Sequence, residues 1–227
     1  MKNEEFATAV GTALGATVRK GIRNQKGKVW MLLCAASFIL HSLCFISCSA
    51  EDVTIEEYPD WQSRNNEAID QWAANSSYRK IRTYIQDETA TSKNSDFIYV
   101  EVLETGDGET SPIATDTVRV AYRGRLLPST TYKEGYVFDQ TYLGDFDWKT
   151  MGVAPNATAA SFMQGFSTAV QNMHIGDRWR VYIPYTLMYG SASSTSYPAY
   201  SNMIFDIALV DYWPSGETRP TFRARMR

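Results

Sequence analysis

The sequence predicts an α+β domain in which antiparallel strands surround one short helix. Residues 118–123 and 178–183 alternate apolar and polar side chains, which is the period of a strand with one buried face. Residues 97–103 form a further apolar run that ends in a glycine-rich turn. Within residues 166–173, apolar side chains recur at helical spacing. Separate strands with a single short helix are typical of the α+β class.

Residues 58–96 are predicted to form a helical extension and a polar linker ahead of the strands. Trp61, Ile69 and Trp72 share one helical face by their spacing. The polar residues 75–77 are expected either to end this helix or to begin a second one. Dimerisation and spacing from a membrane are both consistent with such an extension.

The strand-rich domain is predicted to span residues 97–213. Its helix is expected to end at Gly176, because glycine often terminates helices in a left-handed conformation. Residues 205–209 form the last apolar strand, with a less regular alternation than the others. Residues 214–227 contain four arginines and are predicted to be a disordered basic tail.

The N-terminus has the pattern of a bacterial export signal. Residues 29–47 carry no charge and follow a segment rich in Lys and Arg. This run is also long enough to span a bilayer, so an uncleaved membrane anchor is the rival interpretation. Residues 45–48 (FISC) resemble the site at which lipoprotein signal peptidase cleaves before a cysteine. We therefore predict a lipoprotein-type signal peptide over 1–47 and a lipidated Cys48 that begins the linker 48–57.

Lipidation of Cys48 would place the protein in the cell envelope, anchored to the outer membrane. One acyl chain binds a membrane reversibly, and several together hold it stably. Residues 49–52 (SAED) resemble the surface-export signal of Bacteroidetes lipoproteins, and they also suit the start of a solvated linker. A periplasmic and a surface-facing location therefore both stay open.

Cysteine and histidine are scarce, which excludes several classes of protein. The three cysteines, Cys34, Cys44 and Cys48, all lie in the N-terminal segment, so a disulfide-stapled fold is excluded. His41 and His174 are the only histidines, which excludes a multi-histidine metal site. We therefore predict no metal and no cofactor, and we expect His174 to lie at the surface.

The predicted mature chain is acidic. The first 47 residues carry six Lys and Arg against two Asp and Glu, which leaves 16 Lys and Arg against 23 Asp and Glu, a net charge of −7. A chain of this charge is repelled by the phosphates of nucleic acids, so nucleic acid is not an expected partner.

Aromatic residues cluster in the strand–helix–strand region, and they admit two interpretations. A hydrophobic core accounts for them without any function. An apolar binding pocket accounts for them too, and no nucleophile–base pair, phosphate loop or metal-ligand spacing offers a competing site. The residues concerned are Tyr122, Phe138, Phe162, Phe166, Tyr189, Tyr197 and Phe205, with Asp139 beside Phe138.

Six short motifs follow one another along the second half of the chain. They are VAYRG at 120–124, VFD at 137–139, FMQGF at 162–166, MHIGDR at 173–178, IPYTLMYG at 183–190 and MIFDIAL at 203–209. Together and in this order, they resemble the motifs of the FKBP-type peptidyl-prolyl cis–trans isomerase family.

This resemblance implies an FKBP-like half-barrel of antiparallel strands around a short helix, with the binding pocket between helix and sheet. It also implies isomerisation of X–Pro bonds in proline-containing polypeptides, here exported proteins, and macrolides as possible ligands of the pocket. Carried over by motif, the pocket residues are Tyr122, Phe138, Asp139, Phe162, Met163, Phe166, Tyr189, Tyr197 and Phe205.

Such a pocket can catalyse bond rotation without a nucleophile or a proton transfer. Rotation about a peptide bond meets a barrier of about 18–20 kcal/mol because twisting breaks the amide resonance. The twisted amide has less charge separation, so an apolar, water-poor pocket stabilises it relative to the planar form. By the resemblance, Phe166 forms the floor under the proline ring, and Phe138 and Phe205 form walls.

The resemblance also implies polar anchors around the pocket. The backbone N–H of Met163 and the hydroxyl of Tyr189 would bind substrate carbonyl groups, and Asp139 would hydrogen-bond to Tyr122 or to the substrate. The implied catalytic residues are Tyr122, Phe138, Asp139, Phe166, Tyr189 and Phe205, and the implied substrate-binding residues are Phe162, Met163 and Tyr197.

Departures from the family pattern leave a second hypothesis open. Phe166 stands where the family has a tryptophan, and the loop 191–200 is serine-rich. The segment between Asp139 and Phe162 is longer than in a minimal domain, so the family's usual arginine and phenylalanine of that segment are not assigned, and Trp148 is one candidate for the phenylalanine's place. The alternative is a catalytically weak FKBP-fold module that binds clients or acts as a chaperone at the membrane.

Overall fold

The structure, a computed structural model, describes residues 56–84, 91–149 and 156–218. The predicted signal peptide 1–47 and the predicted lipidation site Cys48 lie outside these ranges. Within the described ranges, no helix is both long enough and apolar enough to cross a bilayer.

One antiparallel sheet forms the framework of the described residues. Its strands are β1 (Arg79–Arg82), β2 (Phe97–Glu104), β3 (Thr117–Arg125), β4 (Val137–Gln140), β5 (Ala157–Thr158), β6 (Arg178–Ile183) and β7 (Met203–Trp213). The helices are α1 (Trp61–Ala74) and α2 (Gln164–Val170), with 3-10 turns at Asn94–Asp96, Ala159–Ser161 and Tyr185–Leu187. The strand order is β1-β2-β6-β7-β3-β4, and β5 pairs with β3. The predicted α+β class, with antiparallel strands around a short helix, is thereby confirmed.

The main core lies between α2 and one face of the sheet. Val181 of β6 and Ile207 and Leu209 of β7 are fully buried in this core, together with Phe166 and Val170 of α2. Burying an apolar side chain of this size contributes about 1.5–3 kcal/mol to folding. A helix as short as α2 is not stable in isolation, so this buried face holds it in place.

Helix α1 and strand β1 belong to the same folded unit as the sheet. Trp72 of α1 packs on Tyr99 and Tyr182, with ring centroids 6.2 and 5.3 Å apart. The predicted helix ends at Ala74, and β1 follows it in place of a second helix or a linker. The alternation pattern does not predict β1, because Ile81 is its only apolar side chain and the strand is held by backbone pairing with β2.

A second, smaller apolar cluster lies on the opposite face of the sheet. It joins Tyr142 and Trp148, from the connection between β4 and β5, to the register partners Ala121 and Ala208. Trp148 also donates a hydrogen bond from Nε1 to Glu104 Oε2 at 2.9 Å. Ala121 alternates with the core-facing residues of β3, so its side chain lies on the opposite face of the sheet. Trp148 packs on that face and is therefore outside the predicted pocket.

The connection from α2 to β6 is held by the buried carboxylate of Asp177. Its Oδ2 accepts a hydrogen bond from the N–H of His174 at 2.7 Å, and its Oδ1 accepts one from the N–H of Gly106 at 2.6 Å. Gly176 has a left-handed φ of 89°, as a glycine at a chain reversal allows. Helix α2 ends at Val170, earlier than predicted, and the His174 side chain is 42% exposed at the turn.

Helix α2 lies so close to β6 at Gly165 that a Cβ there would collide with the side chain of Ile183. We expect Gly165→Ala to lower the free energy of unfolding by about 1–3 kcal/mol, because an added methyl group in a packed core forces its neighbours aside. Intrinsic helix propensity alone would favour alanine over glycine. A decrease in the free energy of unfolding would therefore show that the collision with Ile183 outweighs the gain in propensity.

Chemical denaturation of the purified chain measures this change. Thr168→Ala, at a half-buried position of the same helix, is the matched control and should change the stability by much less. A Gly165→Ala chain as stable as the wild type would contradict the close approach of α2 to β6.

Candidate functional site

A cavity of about 250 Å³ opens between α2, the sheet and the loop that follows β6. It is lined by Tyr122, Phe138, Asp139, Ser161, Phe162, Met163, Phe166, Met188, Tyr189 and Phe205. Pockets for drug-sized ligands are about 300–1,000 Å³. The cavity therefore suits a small ring with its adjoining peptide groups better than a large cofactor.

Phe166 forms the floor of the cavity, where its ring is surrounded by other rings. Its ring centroid lies 4.7 Å from that of Phe162, 5.1 Å from that of Phe205 and 5.5 Å from that of Tyr122. The last two contacts are edge-to-face, the arrangement that the aromatic quadrupole favours. Phe166 comes from the first turn of α2, and it is only 4% exposed.

Gly124 of β3 lets two aromatic walls approach each other. It pairs with Asp139 on β4 and with Phe205 on β7. A Cβ on Gly124 would lie 2.6 Å from the ring of Phe205 and 2.8 Å from the ring of Phe138. The two rings meet edge to face with centroids 5.5 Å apart, so the glycine of the VAYRG motif is a requirement of the wall geometry.

Tyr122 and Asp139 form the polar side of the cavity. The Tyr122 hydroxyl donates a hydrogen bond to Asp139 Oδ2 at 2.8 Å, which is one of the two partners expected for Asp139. Burial raises the pKa of Tyr122 well above its usual value, and the hydrogen bond and negative charge of Asp139 raise it further. The hydroxyl therefore stays protonated at neutral pH and keeps Asp139 in one orientation.

Tyr189 stands at the rim of the cavity and is 39% exposed. Its ring stacks on that of Tyr197, with centroids 4.8 Å apart and planes 18° from parallel. Tyr197 is not among the lining residues; it lies behind Tyr189 and 6.2 Å from the ring of Phe138. Burial raises the pKa of Tyr189, and so do the neighbouring Tyr197 and Asp139, which leaves the rim hydroxyl a neutral donor.

The cavity brings together eight of the nine residues predicted to form the pocket, and the roles assigned to them stay predictions. Two lining residues, Ser161 and Met188, were missed. Both are sequence neighbours of predicted residues, Phe162 and Tyr189, and this adjacency was the available signal. Ser161 lies just before the motif at 162–166 and Met188 lies within the motif at 183–190, and neither position was assigned to the pocket.

The cavity can hold an apolar group away from water between a few fixed polar groups. Its lining residues include no histidine, cysteine or lysine. Among the described residues, no group of three or more His, Cys, Asp or Glu side chains is placed to hold a metal ion. Fold and cavity together define an α+β protein with a small, aromatic binding pocket built on an open antiparallel sheet.

The family model for FKBP-type peptidyl-prolyl cis-trans isomerases matches residues 108–210, the range that contains every lining residue of the cavity. Macrophage infectivity potentiator of Trypanosoma cruzi is 27% identical over 191 residues, which is 81% of this chain and 85% of that protein.

A bacterial relative and a solved structure are also similar to this chain. FKBP-type peptidyl-prolyl cis-trans isomerase FkpA of Escherichia coli (strain K12) is 28% identical over 149 residues, 66% of this chain and 49% of that protein. The chain thus spans about half the length of this relative. The crystal structure of FkpA from Escherichia coli matches 88% of this chain and 75% of its own with a TM-score of 0.52 and 20% identity, which is a likeness of fold.

The coupling between Tyr122 and Asp139 can be measured by titration. We expect Asp139→Asn to lower the pKa of Tyr122 toward the usual value, because the substitution removes the negative charge that disfavours tyrosinate. Burial remains, so the pKa should stay above the usual value. Tyr182, whose pKa is also raised but without a contribution from Asp139, is the internal control.

Tyrosine ring carbon signals, followed by NMR at alkaline pH, give both pKa values in one experiment. An unchanged Tyr122 pKa, or an equal decrease at Tyr182, would show that Asp139 does not act on Tyr122 directly.

Proposed function

We propose that this chain is a peptidyl-prolyl cis–trans isomerase that acts on proline-containing segments of exported polypeptides. The observation that carries the proposal is the aromatic cavity above Phe166, between α2 and the sheet of an FKBP-type domain. A proline ring is a compact apolar group, and its burial against Phe166 would place the preceding peptide bond among the lining residues.

To catalyse this reaction, the protein needs only to bind the twisted amide more tightly than the planar one. The planar X–Pro amide is polar through resonance, and it loses part of that polarity as it twists. Walls such as Phe138 and Phe205 replace water around the bond and remove the solvation that favours the planar form. Each 1.4 kcal/mol of this preference is worth about tenfold in rate.

Substrate carbonyl groups need donors at the cavity rim, and the properties of two lining residues support this role. The backbone N–H of Met163, just before α2, forms no hydrogen bond with another described residue. The Tyr189 hydroxyl stays protonated because its pKa is raised. These donors can hold the chain on either side of proline while the bond between them rotates.

Phe166 takes the position of the family's tryptophan, and Phe162 offsets the loss of ring volume. The Phe162 ring lies 4.7 Å from that of Phe166, tilted by 35°, and so extends the floor beneath the cavity. Phe162 stands where the family motif has a branched aliphatic residue. The two changes together keep an aromatic floor without an indole N–H, and this supports activity with a reshaped pocket.

Isomerase activity is the direct test. We expect the full chain to accelerate cis–trans isomerisation of an X–Pro peptide, followed by protease-coupled assay or NMR exchange. Phe138→Ala should lower kcat/KM by at least roughly tenfold because it opens the cavity wall to water. Asp139→Ala should lower it because Tyr122 loses its fixed partner.

Leu143→Ala is the matched control for these variants, since Leu143 is a large apolar residue that is 83% exposed and outside the cavity. It should leave kcat/KM unchanged, and a macrolide that occupies the pocket should inhibit the wild type. A rate equal to the uncatalysed one, unaltered in all variants, would contradict the proposal and favour the alternative of a client-binding module.

We also propose that the protein is held at a bacterial envelope membrane through acyl chains on Cys48. The support is the apolar run over 29–47, its basic flank and the residues FISC at 45–48. Lipid attachment requires the Cys48 thiol itself, whereas an uncleaved anchor requires only the apolar run.

Substitution of single cysteines separates these two modes of attachment. In a bacterial host, Cys48→Ser should abolish incorporation of a labelled fatty acid and leave the signal peptide uncleaved. Cys44→Ser, four residues earlier in the predicted signal peptide, is the control and should be processed as the wild type. An uncleaved N-terminal segment and no lipid label in the wild type and in both variants would support the uncleaved anchor instead.

A further inference from the structure

Helix α1 is hydrogen-bonded to the loop that carries the rim of the cavity. This rim loop, residues 184–202, joins β6 to β7 and contains Tyr189 and Tyr197. Helix α1 does not line the cavity. Its contacts with the rim loop therefore lie behind the site and not within it.

A buried pair of asparagines makes the central connection. Asn202 donates from its backbone N–H to Asn65 Oδ1 at 2.7 Å and from its Nδ2 to the Asn65 carbonyl at 2.6 Å. Asn65 Nδ2 in turn donates to the carbonyl of Trp61, one turn earlier in α1, at 2.7 Å. Both asparagines are 0% exposed, so no water can replace these partners in the folded chain.

Asn202 also holds the beginning of the rim loop. Its Oδ1 accepts a hydrogen bond from the N–H of Tyr185 at 2.9 Å. The carbonyl of Tyr185 accepts one from the N–H of Gly190, and the carbonyl of Gly190 accepts one from the N–H of Tyr200, both at 2.9 Å. A continuous path of hydrogen bonds therefore runs from α1 to the residue that follows Tyr189.

Two further hydrogen bonds join α1 to the same loop. The indole Nε1 of Trp61 donates to the buried Ser201 Oγ at 2.8 Å. The hydroxyl of Tyr185 donates to Asn66 Oδ1 at 3.0 Å at the surface. Helix α1 thus contacts both ends of the rim loop, through groups that are all outside the cavity.

We propose that Asn65 is a positioning residue, which holds the rim loop and through it Tyr189 at the cavity. The effect on catalysis rests on the proposed isomerase function, while the effect on the loop does not. If Asn65 loses its side chain, the Asn202 N–H is left buried without an acceptor, and the loop must shift or open to water to satisfy it. The stack of Tyr189 on Tyr197 then loses its fixed support.

Amide hydrogen exchange tests the effect on the loop in the full chain. In Asn65→Ala, the amides of Gly190 and Tyr200 should exchange at least roughly tenfold faster relative to the central strands β6 and β7. Val118→Ala is the control, since it removes core packing from β3, where the register partners of Val118 are Ala157 of β5 and Tyr212 of β7. At matched global stability, it should leave the Gly190 and Tyr200 amides as protected as in the wild type.

Kinetics test the effect on the site and separate positioning from general destabilisation. The Tyr189 hydroxyl would bind a carbonyl outside the rotating bond, so it acts equally in the ground state and the transition state. Asn65→Ala should therefore raise KM by roughly tenfold with kcat changed less than about twofold. Val118→Ala, compared below its melting temperature, should change neither constant.

Exchange measured on the unmodified chain keeps the proposal testable if Asn65→Ala fails to fold. The Gly190 and Tyr200 amides should then open together with those of α1, with the same dependence on denaturant. Independent opening of α1 and the rim loop, or an Asn65→Ala chain with wild-type exchange and KM, would overturn the proposal. A wild-type chain without isomerase activity would contradict the proposed function and leave the exchange result to decide the positioning role.

Discussion

The close approach of α2 to the sheet is the constraint on which the described structure depends. Gly165 has only a hydrogen where any other residue would meet Ile183, so the helix can lie directly against β6. The next residue, Phe166, then reaches the ring of Phe205 at 5.1 Å and closes the floor of the cavity. Gly124 plays the same part on the sheet side, where it lets two wall rings meet. The floor and walls of the cavity pack tightly because backbone comes close to side chains at these two glycines.

The sequence predicts the strands whose apolar and polar side chains alternate, and it misses the strand that has almost no apolar side chain. The alternation predicts β3 and β6, because alternate apolar side chains of each strand belong to the main core. Strand β1 has a single apolar side chain, and backbone hydrogen bonds to β2 hold it. Backbone pairing does not depend on the type of side chain, so the sequence gives no sign that the segment after α1 is a strand. Local sequence patterns therefore predict the strands of the core and do not predict the edge strand β1.

The site likewise combines residues that the sequence pattern predicts with contacts that only the folded chain shows. The aromatic residues at motif positions were predictable, and eight of nine line the cavity. Tyr197 was predicted from its place in the loop, yet its ring backs Tyr189 and does not line the cavity. The contact of Asn65 with Asn202 joins positions 137 residues apart through two polar side chains of no distinctive pattern. Only the folded chain reveals such a pair, because burial is what gives it importance.

A catalyst of bond rotation moves no proton and no electron pair, so the geometry of its pocket is its chief means of acting. Walls inside the core are held by packing, but Tyr189 is 39% exposed and packing alone does not hold it. Hydrogen bonds can hold a rim loop because they are directional, whereas apolar contacts tolerate sliding. Apolar residues at positions 65 and 202 would leave the backbone N–H groups of Asn202 and Tyr185 without their acceptors. The buried asparagine pair is therefore best explained by the loop that it holds.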